Sequence, residues 1–189
     1  MARWLDALLG RSKPVQPDLD QLFAVPSASV TLQVATSFRP TGTGSVCFKA
    51  AEGGAFGGLR EEVDRLLAID NDKYAEHRDD FGYTWLVRQA LSDDSVEGLV
   101  TDLHAVNTAL ADAGFGPLML CTVVAFSDGS RPLALVYLYK RGTWYPFAPS
   151  GPQQRDNALE LQVRGVITND LKVEDDLSRW FPVWGAPGL

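Results

Sequence analysis

Histidine and cysteine, the side chains that most often bind metals and attack substrates, are scarce in this sequence. Two of each occur among 189 residues, and neither an HExxH nor a CxxC motif is present. A zinc site needs several converging histidine, cysteine or carboxylate ligands, so the common zinc motifs are excluded. We expect His77, in a polar loop, and His104, near the edge of a helix's apolar face, to be structural or solvated.

The two cysteines lie in strand-like runs. Neither Cys47 nor Cys121 stands at a helix start or in a basic context that would lower a thiol pKa. We interpret both as small, buried apolar side chains. A disulfide between them is less expected, because the chain carries no sign of export to an oxidising compartment. One enzymatic alternative stays open, in which Cys47, Cys121 and His104 form the pocket of a thiol-dependent enzyme.

Long apolar runs and an excess of basic charge are also missing. A membrane span needs about eighteen or more apolar residues in a row. No such run is found, and residues 4–9 are too short and too polar for a signal peptide. The 17 lysines and arginines are outnumbered by 24 aspartates and glutamates, and the formal charge is −7. Because nucleic acids and anionic bilayers reward clustered basic residues, we expect a cytoplasmic protein without a transmembrane segment or a nucleic-acid partner.

Glycine-rich loops and paired carboxylates are present, but they lack the surroundings of a catalytic site. Residues 42–44 lead into a strand without the Lys-Ser/Thr ending of a phosphate-binding loop. Residues 53–58 lead into a helix whose Glu61 and Glu62 would repel an anion. The paired aspartates stand beside turns and helix starts, where carboxylates cap backbone N–H groups. We expect no catalytic residue, no cofactor and no metal.

The sequence does contain the helix and strand patterns of a globular α/β domain. Its length and its 46% hydrophobic content allow one substantial core. The clearest helix is capped at residues 93–95, places Val96, Leu99 and Leu103 on one apolar face, and ends at Gly114.

Two further helices and several strands complete the pattern. One helix places Leu59, Val63, Leu66 and Leu67 on one side, and another begins near Pro152. Runs rich in β-branched and aromatic residues predict strands at residues 30–34, 45–48, 83–87, 118–126, 133–139 and 143–147. The run at 133–139 is apolar on both faces, which is typical of a central strand.

These elements predict a single α+β domain, in which a mainly antiparallel β-sheet is packed by about three helices. Residues 1–19 are predicted to form a short amphipathic helix followed by a proline-containing linker. Residues 20–189 are predicted to form the α/β domain, including an aromatic C-terminal tail. Strand order and oligomeric state stay open, and a homodimer is one alternative.

Apolar and aromatic side chains cluster near both ends of the sequence. The N-terminal cluster forms one stripe of a helix too short to be stable alone, so it must dock on protein or on a lipid surface. The C-terminal aromatics either cover the sheet of their own domain or anchor a partner. The predicted partner-binding residues are Trp4, Leu5, Leu8, Leu9, Trp180, Phe181 and Trp184.

Several stretches of the chain carry a family resemblance. The longest is residues 135–149, which read LVYLYKRGTWYPFAP. The others are residues 5–11, 44–48, 102–107 with 114–116, 155–160 and 177–189. Taken together, they resemble the PspA-associated protein PspAB family of the phage-shock, or envelope-stress, gene neighbourhood over nearly the whole chain.

The resemblance implies association with PspA, a coiled-coil membrane-stress effector, in a genomic context that often includes an HtpX-like membrane zinc protease. It transfers a context and no active site. We therefore expect a non-enzymatic cytoplasmic adaptor or regulator of the envelope-stress response that binds PspA or a companion such as the protease. Two alternatives stay open: a small-ligand or membrane-surface sensor with weak peripheral membrane contact, and the thiol-dependent enzyme.

Overall fold

The computed structural model describes residues 17–49, 61, 64–65, 68, 73–89 and 95–189, with an antiparallel sheet at their centre. The strands are β1 (Arg39–Lys49), β2 (Tyr74–Arg78), β3 (Tyr83–Arg88), β4 (Met119–Ser127), β5 (Pro132–Leu138) and β6 (Thr143–Phe147). They lie in the order β2-β3-β1-β4-β5-β6, and every pairing is antiparallel. Two short strands, β7 (Pro149–Gly151) and β8 (Gln154–Arg155), form a separate pair.

Helices cover one face of this sheet. The helices whose bounds the structure gives in full and that pack there are α1 (Val25–Thr36), α2 (Val96–Leu110) and α3 (Asn157–Ile167), with a 3₁₀ turn at Leu19–Ala24 before α1. Their buried side chains share one core with the inward side of β1, β4 and β5. The prediction of a single α+β domain, with an antiparallel sheet packed by about three helices, is confirmed.

The helix α2 begins where the sequence predicts, and its C-terminal end runs into a short π-helical turn at Ala111–Phe115. The Ser95 hydroxyl caps it by accepting a hydrogen bond from the Gly98 N–H at 3.1 Å. Leu99 and Leu103 are buried against the sheet, as their helical spacing requires. Gly114, with φ at 90°, ends the helical region in a conformation that glycine adopts at low cost.

The helix α3 begins later than predicted. Pro152 lies in the turn between β7 and β8 rather than in the helix. The Asp156 carboxylate supplies the cap instead, because it accepts a hydrogen bond from the Leu159 N–H at 2.9 Å.

The strand predicted at residues 30–34 is wrong, because these residues form the middle of α1. Val30, Leu32 and Val34 alternate with polar residues, which is typical of a strand. Only Leu32 of the three is buried, however, and it lies seven positions after the buried Val25 on the same helical face. Tertiary packing has therefore overridden the β-propensity of the valines.

The strand β2 lies in a stretch that the sequence marks only as a polar loop. Its side chains are half-buried or exposed, so it carries little apolar alternation. It pairs along its whole length with β3 at one edge of the sheet. A short, charged edge strand of this kind is one way in which proteins prevent edge-to-edge association.

Residues 173–189, which we call the C-terminal segment, cover the second face of the sheet. Trp180 and Ala186 are buried there against Tyr145 and Phe147. Of the two interpretations of the aromatic tail, the structure shows the one in which the tail packs on its own domain.

Lys172 and the start of the C-terminal segment cover the outer edge of β6. The Trp144 N–H donates a hydrogen bond to the carbonyl of Lys172, and the Glu174 N–H donates one to the carbonyl of Trp144, both at 2.8 Å. These bonds satisfy backbone groups that an edge strand would otherwise leave unpaired.

Several predictions fall wholly or partly outside the described residues. The N-terminal helix and its partner-binding residues Trp4, Leu5, Leu8 and Leu9 are among them. Residues 61, 64–65 and 68 are helical, in agreement with the predicted helix, whose apolar residues Leu59, Val63, Leu66 and Leu67 are not described. The domain boundary at residues 19–20 stays a prediction.

Candidate functional site

A cavity of about 630 Å³ lies between the second face of the sheet and the C-terminal segment. The sheet contributes Cys47, Trp85, Cys121, Leu138 and Tyr145 to its wall, and the segment contributes Phe181, Pro182, Val183 and Trp184. The lining is therefore mainly aromatic and aliphatic. Its volume falls within the range of about 300 to 1,000 Å³ that is typical of small-molecule sites.

Hydrogen bonds and ring contacts hold the C-terminal segment over this cavity. The Tyr145 hydroxyl donates to the carbonyl of Phe181 at 2.7 Å, and Nη1 of Arg155 donates to the carbonyl of Trp180 at 2.7 Å. The Trp180 ring stacks on Tyr145 with centroids 5.9 Å apart, and its Nε1 donates to the carbonyl of Glu174 at 2.9 Å. The position of the segment is thus fixed by polar and aromatic contacts together.

Three of the predicted partner-binding residues lie in this segment, and they differ in exposure. Trp180 is buried, whereas Phe181 is 58% exposed. Trp184 is half-buried and meets the edge of the Phe147 ring, with centroids 4.9 Å apart. The aromatic cluster is therefore divided between a buried anchor and an exposed ring beside the cavity, and its role in partner binding stays a prediction.

Asp79 organises another part of the cavity lining, at the turn between β2 and β3. Its Oδ1 accepts hydrogen bonds from the N–H groups of Phe81 and Tyr83, both at 2.9 Å. Its Oδ2 accepts one from Nε1 of Trp85 at 2.8 Å. Both carboxylate oxygens are therefore engaged, and the turn holds the exposed ring of Phe81 at the cavity.

Cationic side chains also line the cavity: Lys140, Arg141 and Arg179. Arg141 pairs with the buried Glu174, its Nε donating at 2.9 Å and its Nη2 at 3.3 Å. Nε of Arg179 donates to Asp176 at 3.1 Å. Lys140 is exposed and makes no ion pair with the part of the chain that the structure describes.

The two carboxylates that pair with these arginines have lowered pKa values. For Glu174, burial acts to raise the pKa, but hydrogen bonds from Arg141, from the Thr143 hydroxyl and from the Asp176 N–H outweigh it. For Asp176, hydrogen bonds from the hydroxyl and the N–H of Ser178 lower the pKa. Both groups are therefore held in the charged form.

Cys47 and Cys121 face each other on the cavity wall, as directly opposed residues of β1 and β4. Both are buried and free of disulfide bonds. A hydrogen bond with the Cys121 thiol, together with burial, raises the pKa of the Cys47 thiol far above its ordinary value. These thiols have the environment of structural rather than reactive cysteines.

His104 lies on the other side of the sheet from the two cysteines. Its ring packs on Phe23, with centroids 4.7 Å apart, and its Nε2 lies 3.8 Å from a carboxylate oxygen of Asp20. The pocket that the sequence placed around Cys47, Cys121 and His104 is therefore not assembled in this form, because β1 and β4 separate α2 from the thiols. In the described part of the chain, no group of three or more His, Cys, Asp or Glu residues could hold a metal ion.

A second exposed apolar surface lies on the helical side of the molecule. It consists of Phe23, Val30 and Val34, which are 49%, 66% and 84% exposed, and we call it the α1 stripe. Val30 and Val34 are four residues apart and lie on one side of α1, and Phe23 lies in the 3₁₀ turn that precedes the helix. The sequence analysis missed this surface because it assigned residues 30–34 to a strand.

A model of the PspAB family, described as PspA associated protein B, matches residues 2–188. The chain belongs to the PspAB family. This confirms the resemblance, and the name of the PspAB family indicates association with PspA, which is compatible with a phage-shock-related role. Comparison of this PspAB chain with curated proteins and with solved structures gives no match. Among the described residues, no helix has both the length and the apolar character that crossing a bilayer requires.

Proposed function

We propose that this PspAB-family chain is a non-enzymatic cytoplasmic adaptor or regulator of the envelope-stress response and that it binds PspA. The family match over residues 2–188 carries the proposal. The burial and the raised pKa of Cys47 support its non-enzymatic part, since the thiolate is the nucleophilic form of cysteine.

The α1 stripe supports a helical partner. Within α1, Val30 and Val34 have the spacing of the d and a positions of a heptad, and Phe23 lies in the 3₁₀ turn before the helix. A helix presenting this pattern can pack along a second helix through knobs-into-holes contacts. The family resemblance implies that PspA is a coiled coil, so the partner supplies such a helix.

The aromatic residues of the C-terminal segment form the alternative contact. Phe181 is exposed and could be covered by a partner without any change in the fold. Trp180 is buried on Tyr145, so a partner would reach it only after the segment detached. The N-terminal stripe of Trp4, Leu5, Leu8 and Leu9 is the third candidate surface.

Capture of purified PspA by the tagged protein tests the function and the contact together. The variant V30E/V34E places two charges on the α1 stripe and should weaken capture by about tenfold or more, as loss of buried apolar contacts does at interfaces. The control Q33E/A35E adds the same charge at exposed positions of the same helix and should bind like the wild type. Two further variants, F181E and W4S/L8S/L9S, test the other surfaces.

The outcomes separate the function from the location of the contact. Failure of the wild-type protein to capture PspA would overturn the proposed partner. If F181E or W4S/L8S/L9S reduces capture and V30E/V34E does not, the contact lies on the corresponding surface rather than on α1. Mass spectrometry of proteins recovered from unstressed and membrane-stressed cells would show whether the HtpX-like protease takes the place of PspA.

The cavity favours a second candidate function, that of a small-ligand sensor. The lining of this cavity combines apolar walls with a few charged groups, which is the usual composition of a ligand site. A sensor and an adaptor are compatible in one protein, because the α1 stripe and the cavity lie on opposite sides of the sheet.

A further inference from the structure

The lining of the cavity wall suits an apolar molecule. Trp85, Leu120 and Leu138 supply the sheet side of the wall, and Val183 and Trp184 supply the segment side. The walls are preformed, because Tyr145 and Arg155 hold the segment by hydrogen bonds to the carbonyls of Phe181 and Trp180. A preformed site loses little free energy to ordering when a ligand enters.

Two exposed aromatic rings that line the cavity also favour an apolar ligand. Phe81 and Phe181 are 59% and 58% exposed, although both line the cavity. Phe81 belongs to the β2–β3 turn, and Phe181 belongs to the C-terminal segment. A ligand that extended from the cavity would cover both rings, and this would remove apolar area from water.

The charges that line the cavity favour an anionic group on such a ligand. Three cations, Lys140, Arg141 and Arg179, are opposed there by a single carboxylate, Asp79. Both oxygens of Asp79 already accept hydrogen bonds from N–H groups of the β2–β3 hairpin. Arg141 and Arg179 are each paired with a carboxylate outside the lining, Glu174 and Asp176, so Lys140 is the lining cation that has no ion pair with the described residues.

Each of these cations has N–H groups that are not used in an ion pair and could donate hydrogen bonds to a ligand. The hydrogen bonds of Arg141 to Glu174 use Nε and Nη2 and leave Nη1, and the bond of Arg179 to Asp176 uses Nε alone. Lys140 has no ion pair with the described residues. A carboxylate or phosphate at the mouth would receive charge-assisted hydrogen bonds from these groups, and such bonds are stronger than neutral ones.

We propose that this cavity binds an amphiphilic anion, in which an unbranched apolar chain fills the space against the sheet and a carboxylate or phosphate group meets Lys140, Arg141 and Arg179. A free fatty acid and a single-chain lipid phosphate share this chemistry. The site is independent of PspA, because its walls come from this chain alone.

Calorimetric titration of the purified full chain with four ten-carbon probes tests the proposal. Decanoate and decyl phosphate carry the two anionic groups, decanol carries none, and decyltrimethylammonium carries the opposite charge. Below the micelle concentrations of the charged probes and the solubility limit of decanol, at least one anion should bind saturably at one site, about tenfold more tightly than decanol. The anion that binds with the higher affinity identifies the preferred headgroup, carboxylate or phosphate.

Substitution of two mouth cations provides the matched comparison. The variant K140Q/R179Q should weaken binding of the better anion by about tenfold and leave decanol binding unchanged. The control K49Q/K172Q removes the same charge from exposed positions outside the cavity and should bind like the wild type. A thermal melt of each variant shows that it is folded.

A cavity-filling variant locates the binding. Val183 lines the cavity and is only half-buried, so V183W should fill the space and abolish binding of every probe while the domain stays folded. Absence of saturable anion binding to the wild-type protein would overturn the proposal. So would equal affinities for the anions and decanol, or equal losses in K140Q/R179Q and in the control. PspA capture is measured separately, so either proposal can fail without the other.

Discussion

At the scale of single residues, the opposed thiols of Cys47 and Cys121 give the sharpest test of the enzymatic alternative. Both are buried, and the pKa of Cys47 is strongly raised by its hydrogen bond with Cys121 and by burial. Because the thiolate is the reacting form, iodoacetamide should alkylate Cys47 on the order of a hundredfold more slowly in the folded protein than in urea. Mass spectrometry of samples quenched over time measures both rates, and rapid labelling of either native thiol would favour a thiol-dependent enzyme.

The ion pair of Glu174 with Arg141 gives a second prediction, which concerns pH. The folded-state pKa of Glu174 lies below its ordinary value of 4.5, so its stabilising contribution is present above that pH and is lost as the pH falls through the lower folded value. The variant E174Q should be less stable than the wild type at neutral pH, and the difference should shrink as the pH falls below 4.5. Urea unfolding at a series of pH values measures both effects.

A neighbouring acid supplies the control for this experiment. Asp175 is exposed and lies 3.3 Å from Arg164, so D175N should change the free energy of unfolding by less than about 1 kcal/mol at neutral pH. An E174Q variant that behaved like D175N would show that the buried pair contributes nothing to stability.

At the scale of elements, the close approach of α2 to β1 depends on Gly44. A Cβ atom built at this position would lie 2.7 Å from Cδ1 of Leu103 and 3.1 Å from the carbonyl oxygen of Val123. Since overpacking of a core forces side chains and backbone to shift, G44A should lower the free energy of unfolding by about 1 to 3 kcal/mol.

A glycine within α2 itself provides the comparison. A Cβ atom at Gly98 would meet only Oγ of Ser95, at an ordinary 3.7 Å. Alanine favours a helix over glycine by about 1 kcal/mol, so G98A should be neutral or stabilising in the same urea titration. Equal losses in both variants would indicate that α2 does not pack on β1 at Gly44.

Local patterns in the sequence predict most of these elements. The strands β3 to β6 and the helix α2 were predicted because each carries its own signal, a β-branched or aromatic run in the strands and the cap at Ser95 in the helix. The prediction of a strand at residues 30–34 is wrong. Of the three apolar residues there, only Leu32 is buried in the core, and a helix can expose Val30 and Val34 while it buries Leu32. Period-two alternation over five residues cannot distinguish these two cases.

Such local patterns do not predict the cavity, because its lining comes from residues that are far apart in the sequence. Cys47 and Cys121 become neighbours only when β1 pairs with β4, and Phe181 reaches the sheet only when the C-terminal segment folds back. Two signals did indicate the region: the strand at 133–139, apolar on both faces, and the cluster of aromatic residues at 180–184. Together they predict a second covered face, but not the gap that is left within it.

At the scale of the whole molecule, the buried cluster on the second face of the sheet, which includes Trp180, Tyr145 and Phe147, requires the C-terminal segment to stay in place. Trp180 and Phe181 are adjacent, yet the first is buried on Tyr145 and the second is exposed. Because truncation of a buried aromatic removes contacts and leaves a cavity, W180A should lower the free energy of unfolding by about 3 to 5 kcal/mol. The variant F181A should lower it by less than about 1 kcal/mol, since an exposed side chain contributes little to folding.

The same pair of variants decides whether this segment belongs chiefly to the fold or to an interface. If W180A lowers stability and F181A lowers only the affinity for decanoate or PspA, the buried ring is an anchor that positions an exposed functional ring. If instead W180A unfolds normally in urea but loses PspA, Trp180 acts as a partner contact and the segment must detach in the complex. Urea unfolding and PspA capture, measured on the same preparations, distinguish these two arrangements because folding and binding respond to different members of the pair.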